Sequence, residues 1–448
     1  MLLNIKEAAC AVNGEYRGSG NITVTGMFTD SREAFEGGIF FALKGERVDG
    51  HSFVNELNAK GYPCVVSEEE YFTNENILVK DVERALGDLA KWWREKYVPE
   101  TKIVAVTGSV GKTTTKDMIG LVLSSEFNTF VPQGNRNSTI GLPMSVAKLV
   151  PSHEFAVFEL GSSGMGEISY LSKLVNPYLS VITCVGSSHL EFFGTRDNIR
   201  KEKFSILDGE REGGVIVLDG DSDEEYAMRR SIRKYKYIFC GFHERSDFRI
   251  TDISRYAGMT EYTVNDSRRD YYIKIYAEGD HLIKDSLYAF VAGLLCGVEP
   301  ALAANALEGY RPYGDRQRIY QKDGVTVIAD CYNASPESMR AAFGVLASRE
   351  GRRIAVLGDM LELGPDSPAI HAKNAADAAE AADVLVFVGS FASVCAGACA
   401  DKETYCFAEN EKSAAAEKIK ELIRPGDVIL FKGSRRIGLD EIIKEAEL

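Results

Sequence analysis

The sequence predicts an α/β protein of three domains, the central one built on a largely parallel sheet. Three observations carry that expectation. Short β-branched runs alternate with helical patterns, as they do when parallel strands are joined by crossover helices. The 448 residues, at roughly 100–200 per domain, require two to four domains. Two turn-rich joints divide the chain, one after Tyr97 and one at Tyr310-Arg311-Pro312-Tyr313-Gly314-Asp315.

The first part is mixed, with strand candidates at Ile22–Thr25, Ile39–Ala42 and Cys64–Val66. From Glu83 to Tyr97, Leu86, Leu89, Ala90, Trp93 and Tyr97 recur at helical spacing until Val98-Pro99 breaks the pattern. Ile103–Val106, Ala156–Leu160, Leu179–Thr183 and Val215–Leu218 read as buried strands, and Lys284–Cys296 as a long apolar helix. The same grammar resumes at Val325–Ala329, Ile354–Leu357, Val384–Val388 and Val428–Phe431, separated by Ala-rich helical segments. The expected domains are residues 1–98, 99–313 and 314–448.

Composition narrows the function. Apolar residues at 45% and charged residues at 26% are globular values that argue against disorder. The net charge of −14 excludes a general binder of nucleic acid or anionic membrane, which needs a cationic surface. A nucleotide site remains open to an acidic chain, because one Lys and a helix end suffice locally. The nine cysteines include no C-x-x-C pair. Cys184, Cys240 and Cys331 lie in or beside apolar runs; Cys395 and Cys399 could share a helix face, but with too few ligands for a metal. Reduced thiols in the cytoplasm are expected. Charge appears by Lys6, too early for a signal peptide, and no apolar run approaches the ~18 residues that would span a membrane.

The sharpest feature is Thr107-Gly108-Ser109-Val110-Gly111-Lys112-Thr113-Thr114-Thr115, which follows a buried strand and opens a helix near Thr113. Glycines let successive N–H groups turn inward as an anion nest at the positive end of a helix. Lys112 can reach the β- and γ-phosphates, and the Thr113 hydroxyl can ligate Mg²⁺. The loop departs from G-x-x-x-x-G-K-[ST] at Val106, where a glycine is usual. Glu159, at the carboxyl end of a strand, is placed to hold Mg²⁺. Taken singly, Glu159 also reads as a solvated strand end, His189 as a structural histidine, and Ile199-Arg200-Lys201-Glu202-Lys203-Phe204 as a solvated helix face.

The loop Thr107–Lys116 resembles the ATP loop of the Mur ligases, ATP-dependent amide ligases of peptidoglycan precursor synthesis. Asp330-Cys331-Tyr332-Asn333-Ala334-Ser335-Pro336-Glu337-Ser338-Met339 and Val356-Leu357-Gly358-Asp359-Met360-Leu361-Glu362-Leu363-Gly364 are similar to C-terminal signatures of that family. Asp30-Ser31-Arg32, Phe40-Phe41-Ala42-Leu43-Lys44-Gly45, Asp49-Gly50-His51, Gly134-Asn135-Arg136-Asn137 and Lys432-Gly433-Ser434-Arg435 extend the likeness over essentially the whole chain.

The resemblance implies three domains: a small mixed α/β UDP-sugar-binding domain, a central phosphate-loop ATPase domain and a Rossmann-like C-terminal domain. It implies ATP and two Mg²⁺ ions, one held by Thr113 and Glu159, the other by His189 and a carbamylated lysine. Alignment of the Lys-x-Lys segment puts that lysine at Lys203, with Lys201 the alternative. Carbamylation converts an amine, a poor Mg²⁺ ligand, into an anionic oxygen donor. Lys112, His189 and Lys203 are the expected catalytic residues. Gly108, Ser109, Val110, Gly111, Thr113, Thr114, Asn135, Asp285, Arg316, Asp330 and Asn333 are expected at ATP, and Ser31, Arg32, Lys44, Gly45 and Asn137 at the other substrates. Asn135 and Asn137 read equally as Asx turns in a loop.

The implied substrates are a UDP-muramoyl-tripeptide and D-alanyl-D-alanine, joined through an acyl phosphate by a monomer. Departures accompany the likeness. Leu282 and Asp285 stand where G-x-H-N-x-x-N has Asn, Ser335 and Ser138 each replace an Asn, and Phe204-Ser205 replaces Gly-Glu. A carboxylate only accepts hydrogen bonds, so adenine contact at Asp285 would be weaker or water-mediated. The alternatives are another amide ligase, of folylpolyglutamate synthetase type or for a different amino acid, and a nucleotide switch that hydrolyses ATP without ligation.

Overall fold

The computed structural model describes residues 1–228, 234–312, 314, 316–399 and 401–448. Tyr313 and Asp315 of the second expected joint lie outside the described residues. Three substantial sheets carry the architecture. The first has five strands in the order Glu15–Tyr16, Ile77–Leu78, Cys64–Val66, Gly38–Phe41 and Gly26–Phe28, parallel except for Glu15–Tyr16 at its edge. Its edge strands are two or three residues long and carry little periodicity, which is why the sequence pattern finds only its middle.

The helix Val82–Tyr97 leads out of this sheet. The Asp81 side chain caps it by accepting from the Arg84 N–H at 2.9 Å, and Pro99 follows its end. Its apolar face packs on the helices Gly141–Val146 and Glu167–Val175. Trp93 Nε1 donates to the Leu149 carbonyl at 3.0 Å, and Arg94 Nε to that of Leu174 at 3.0 Å. One apolar core thus runs from Leu3 through Trp93 to Phe239, so the joint at Pro99 separates chain segments but not their cores.

The second sheet has nine strands in the order Thr129–Phe130, Phe155–Glu159, Lys102–Thr107, Leu179–Ile182, Val215–Asp219, Lys236–Gly241, Phe248–Tyr256, Met259–Asn265 and Asp270–Ile275. It is parallel as far as Phe248–Tyr256, and the last two strands are antiparallel. Every expected central strand is present within a residue or two, but the antiparallel extension was not anticipated. Its alternating polar and apolar residues have one solvated face and lack the continuous apolar runs of the parallel strands. The chain crosses to one side of Lys102–Thr107 and then to the other, which opens a crevice at the carboxyl end of that strand. The helices Lys112–Ser124 and Asp280–Cys296 cover one face. The latter begins four residues before the expected Lys284, directly after Gly279, whose φ of 98° favours glycine.

The third sheet has six strands, in the order Arg318–Lys322, Val325–Asp330, Val428–Lys432, Arg353–Gly358, Val384–Val388 and Glu403–Phe407. All are parallel except the first, and apolar clusters cover both faces, consistent with a Rossmann-like unit. None of the nine cysteines is joined in a disulfide. The helix Ala392–Gly397 stops short of Cys399, but the Cys395 and Cys399 thiols still face the same neighbouring helix, Ser367–Ala381, where they donate to the His371 and Ala375 carbonyls. Among the described residues no helix is long and apolar enough to cross a membrane.

Candidate active site

The strand Lys102–Thr107 ends in the loop 108–111, and the helix Lys112–Ser124 starts where Gly111 takes φ of 83°. A β-carbon on Gly111 would lie 2.5 Å from Asp285 Oδ1, so both backbone angle and space require glycine. The loop is clamped from behind. The Ser109 N–H donates to the Cys184 carbonyl at 2.9 Å, Ser109 Oγ accepts from the Gly186 N–H at 2.9 Å, and Thr183 Oγ1 donates to the Val110 carbonyl. Lys112 Nζ curls over the loop onto the Gly108 and Ser109 carbonyls, at 2.8 and 3.1 Å.

Glu159 ends the neighbouring strand beside the loop helix. Its Oε2 accepts from Thr113 Oγ1 at 2.6 Å and its Oε1 from Asn137 Nδ2 at 2.7 Å. These hydroxyl and carboxylate oxygens are hard donors at the start of a phosphate-loop helix, and that donor set fits Mg²⁺. Asn137 stands on a loop secured by Lys116, whose buried ammonium donates to the Pro132 and Gly134 carbonyls at 2.8 and 3.0 Å.

Lys201 and Lys203 separate sharply on the helix Arg196–Phe204. Lys201 is exposed and paired with Asp197 at 2.7 Å. Lys203 is 1% exposed, donates to Ser162 Oγ at 3.0 Å, and lies over the Phe193 ring. Burial, helped by the Lys112 charge, lowers its pKa to about 7, so a large share of the amine is neutral and reactive toward CO₂. His189 lines the cleft, and its Nδ1 is paired with the Glu362 carboxylate. Burial holds this imidazole below its ordinary range, against the opposing Glu362 charge.

These groups surround a cleft of about 520 Å³ between the central and third sheets. Of the expected residues, Ser109, Val110, Gly111, Lys112, Thr113, Thr114, Asn135, Asn137, Glu159, His189, Asp285, Arg316, Asp330 and Asn333 line it. Arg316 stacks on Tyr332 at 3.8 Å, and Lys432 Nζ bridges Asp330 Oδ2 at 2.6 Å and the Asn333 carbonyl at 3.2 Å. Asp285 lies under the loop helix, where its Oδ1 accepts from Thr115 Oγ1 at 3.0 Å and burial pushes its pKa up to about 7. Lys203 stands behind Ser162, and Gly108, Ser31, Arg32, Lys44 and Gly45 are also not among the lining residues. Arg32 forks onto Asp30, and Lys44 stands 3.6 Å from Asp49 and 3.7 Å from Glu68. Asp49, His51 and Glu68 cluster within metal-ligand reach of one another. However, both His51 nitrogens are already taken, by Asp49 at 2.8 Å and the Ser67 N–H at 3.0 Å.

Sequence reasoning missed Thr183, Lys116, Glu337 and Glu362 as parts of the site. Glu362 and Glu337 lie within the C-terminal signatures, so their position was flagged but their partners were not.

Family models match most of the chain. The Mur ligase middle domain matches residues 106–293, the Mur ligase, glutamate ligase domain matches 316–435, and the Mur ligase family, catalytic domain matches 23–94. The chain is 36% identical to the UDP-N-acetylmuramoyl-tripeptide--D-alanyl-D-alanine ligase of Bacillus subtilis, over 94% of this chain and 93% of the relative. The Escherichia coli enzyme of the same name is 33% identical, over 97% and 96%. A crystal structure of MurF from Acinetobacter baumannii superposes with a TM-score of 0.93 at 30% identity, covering 100% of this chain and 99% of that one. MurF from Thermotoga maritima in complex with ADP gives 0.85 at 27% identity, covering 94% and 97%. With family models along most of its length and relatives matched nearly end to end, this chain belongs to the Mur ligase family.

Proposed function

We propose that this chain is an ATP-dependent ligase joining D-alanyl-D-alanine to UDP-N-acetylmuramoyl-tripeptide, with ADP and phosphate as the other products. The observation that carries the reading is the meeting in one cleft of a phosphate loop, an oxygen-donor pair at its helix start and side chains from the third sheet. The names of its relatives support the choice of substrates.

A carboxylate is a poor electrophile and must be activated before an amine can displace oxygen from it. One carboxylate oxygen attacks the γ-phosphorus and ADP leaves, giving an acyl phosphate. The amine nitrogen then attacks the acyl carbon, and phosphate leaves with the C–O electron pair as the nitrogen sheds its proton. Lys112 and the N–H groups of Val110 and Gly111 offset phosphate charge, with Ser109 and Thr114 beside them and Gly108 giving the loop its turn. Mg²⁺ held by Thr113 and Glu159, and a second ion held by His189 and carbamylated Lys203, would neutralise the repulsion between the carboxylate and the triphosphate. The burial and lowered pKa of Lys203 support it over Lys201 as the modified residue.

Asn137 orients Glu159 and reaches the substrate carboxylate, while Asn135, Asp285, Arg316, Asp330 and Asn333 flank ATP. Ser31, Arg32, Lys44 and Gly45, remote from the cleft lining, take the uridine diphosphate end. The units 1–98, 99–313 and 314–448 bring UDP-sugar, ATP and dipeptide to one point, and closure excludes the water that would hydrolyse an acyl phosphate. One chain furnishes the whole cleft, which supports a monomer, and cysteines outside any disulfide fit the cytoplasm.

The test is phosphate release from ATP, Mg²⁺ and the UDP-muramoyl-tripeptide with a panel of amine donors. Release that depends on D-alanyl-D-alanine is expected. Release with a different donor alone would overturn the substrate, and hydrolysis indifferent to every donor would make the protein a nucleotide switch.

A further inference from the structure

His189 and Glu362 are 173 positions apart and belong to different sheets' connections, yet they meet at the cleft. Both are non-glycine residues in the left-handed backbone region, each with φ of 63°. That conformation is strained for an L-residue, so two such residues facing each other call for a compensating contact. The structure supplies one twice over. The Glu362 carboxylate accepts from His189 Nδ1, and the Glu362 carbonyl accepts from the Glu191 N–H at 3.0 Å. On the other side of the same loop, the Ser187 N–H donates to Glu337 Oε1 at 2.9 Å, from the first turn of the helix Pro336–Ala347. The segment carrying His189 is therefore gripped at both ends by acidic residues of the third unit.

We infer that Glu362 is a positioning residue for His189. By taking the Nδ1–H it fixes the imidazole tautomer and leaves Nε2 as the lone-pair nitrogen toward the cleft. Docking of the third unit thereby completes the cation-binding set, and undocking removes the acceptor that aims His189. This inference rests on the reading of His189 as a residue that holds a metal beside ATP. The pair is partly solvated, with side-chain exposures of 27% and 44%, so its loss should not unfold the chain.

The experiment uses the full chain and its E362A, E362Q, H189A and E362A/H189A variants. Mn²⁺ replaces Mg²⁺ and is titrated in the presence of ADP, with free Mn²⁺ read by electron paramagnetic resonance, so binding is seen without turnover. E362A should weaken the His189-dependent Mn²⁺ affinity by about tenfold or more. E362Q, whose Oε1 still accepts from Nδ1–H, should stay within about threefold of the parent. The double variant should bind no more weakly than H189A, because the two residues act as one unit. In ligation assays E362A should lower kcat and leave the KM for ATP nearly unchanged. Unchanged Mn²⁺ affinity in E362A, equal losses in E362A and E362Q, or additive losses in the double variant would each overturn the inference. Absence of ligation in the parent chain would overturn the proposed reaction instead, because the Mn²⁺ titration still reads the pairing.

Discussion

Lys203→Ala removes an amine that the fold has prepared for reaction with CO₂. At pH 7 an ordinary exposed lysine is neutral in about one molecule in 2,500. Lys203, with its pKa lowered to about 7, is neutral in about half. Its reactive fraction exceeds that of an ordinary exposed lysine by about a thousandfold. Carbamate formation consumes the neutral amine, so labelling should rise with pH and reach half its maximum near pH 7. With ¹³C-bicarbonate, a carbamate carbon resonance should appear in the parent and in Lys201→Ala and be missing from Lys203→Ala. Ligation should fall in decarbonated buffer, recover on adding bicarbonate, and drop at least about a hundredfold in Lys203→Ala regardless of bicarbonate. Equal labelling in Lys203→Ala, or a rate indifferent to bicarbonate in the parent, would refute the reasoning.

Other substitutions probe other contacts. Glu159→Gln keeps the shape but turns an NH₂ toward either Thr113 or Asn137, both donors; the Mg²⁺ concentration for half-maximal ligation should rise about tenfold or more with the fold retained by circular dichroism. Gly111→Ala forces a β-carbon onto a φ of 83° and against Asp285 Oδ1; ATP binding by calorimetry should weaken at least about tenfold and unfolding free energy should drop about 1–3 kcal/mol. Glu210 has its pKa raised to about 8 by burial, opposed by the Ser180 hydroxyl, so the native state holds a proton that the unfolded chain releases above its ordinary carboxyl range. Its contribution is complete below pH 4.5 and is lost as pH rises toward 8, with a slope of at most about 1.4 kcal/mol per unit, so Glu210→Gln should flatten the fall of Tm across that window.

Local chemistry was legible in the sequence, and distant pairings were not. The phosphate loop occupies consecutive residues after an apolar strand, so letters and context sufficed. The same holds for the parallel strands, whose continuous apolar runs announce burial on both faces. Lys201 and Lys203, two positions apart, cannot share a helix face, yet nothing local says which one turns inward; the packing of Ile199, Glu202 and Lys203 decides it. Asp285 could be read only as a departure from Asn. Its place beneath Gly111 and against Thr115 depends on two helices packing side by side. The grip of Glu362 on His189 depends on how the third sheet docks, which no window of the sequence contains.

The central claim is that a carboxylate is activated by phosphoryl transfer in this cleft, and oxygen isotope tracing tests it most directly. UDP-muramoyl-tripeptide labelled with ¹⁸O in its terminal carboxylate should yield, for each amide formed with D-alanyl-D-alanine, one phosphate bearing one ¹⁸O. Unlabelled phosphate, or label in AMP, would contradict the account.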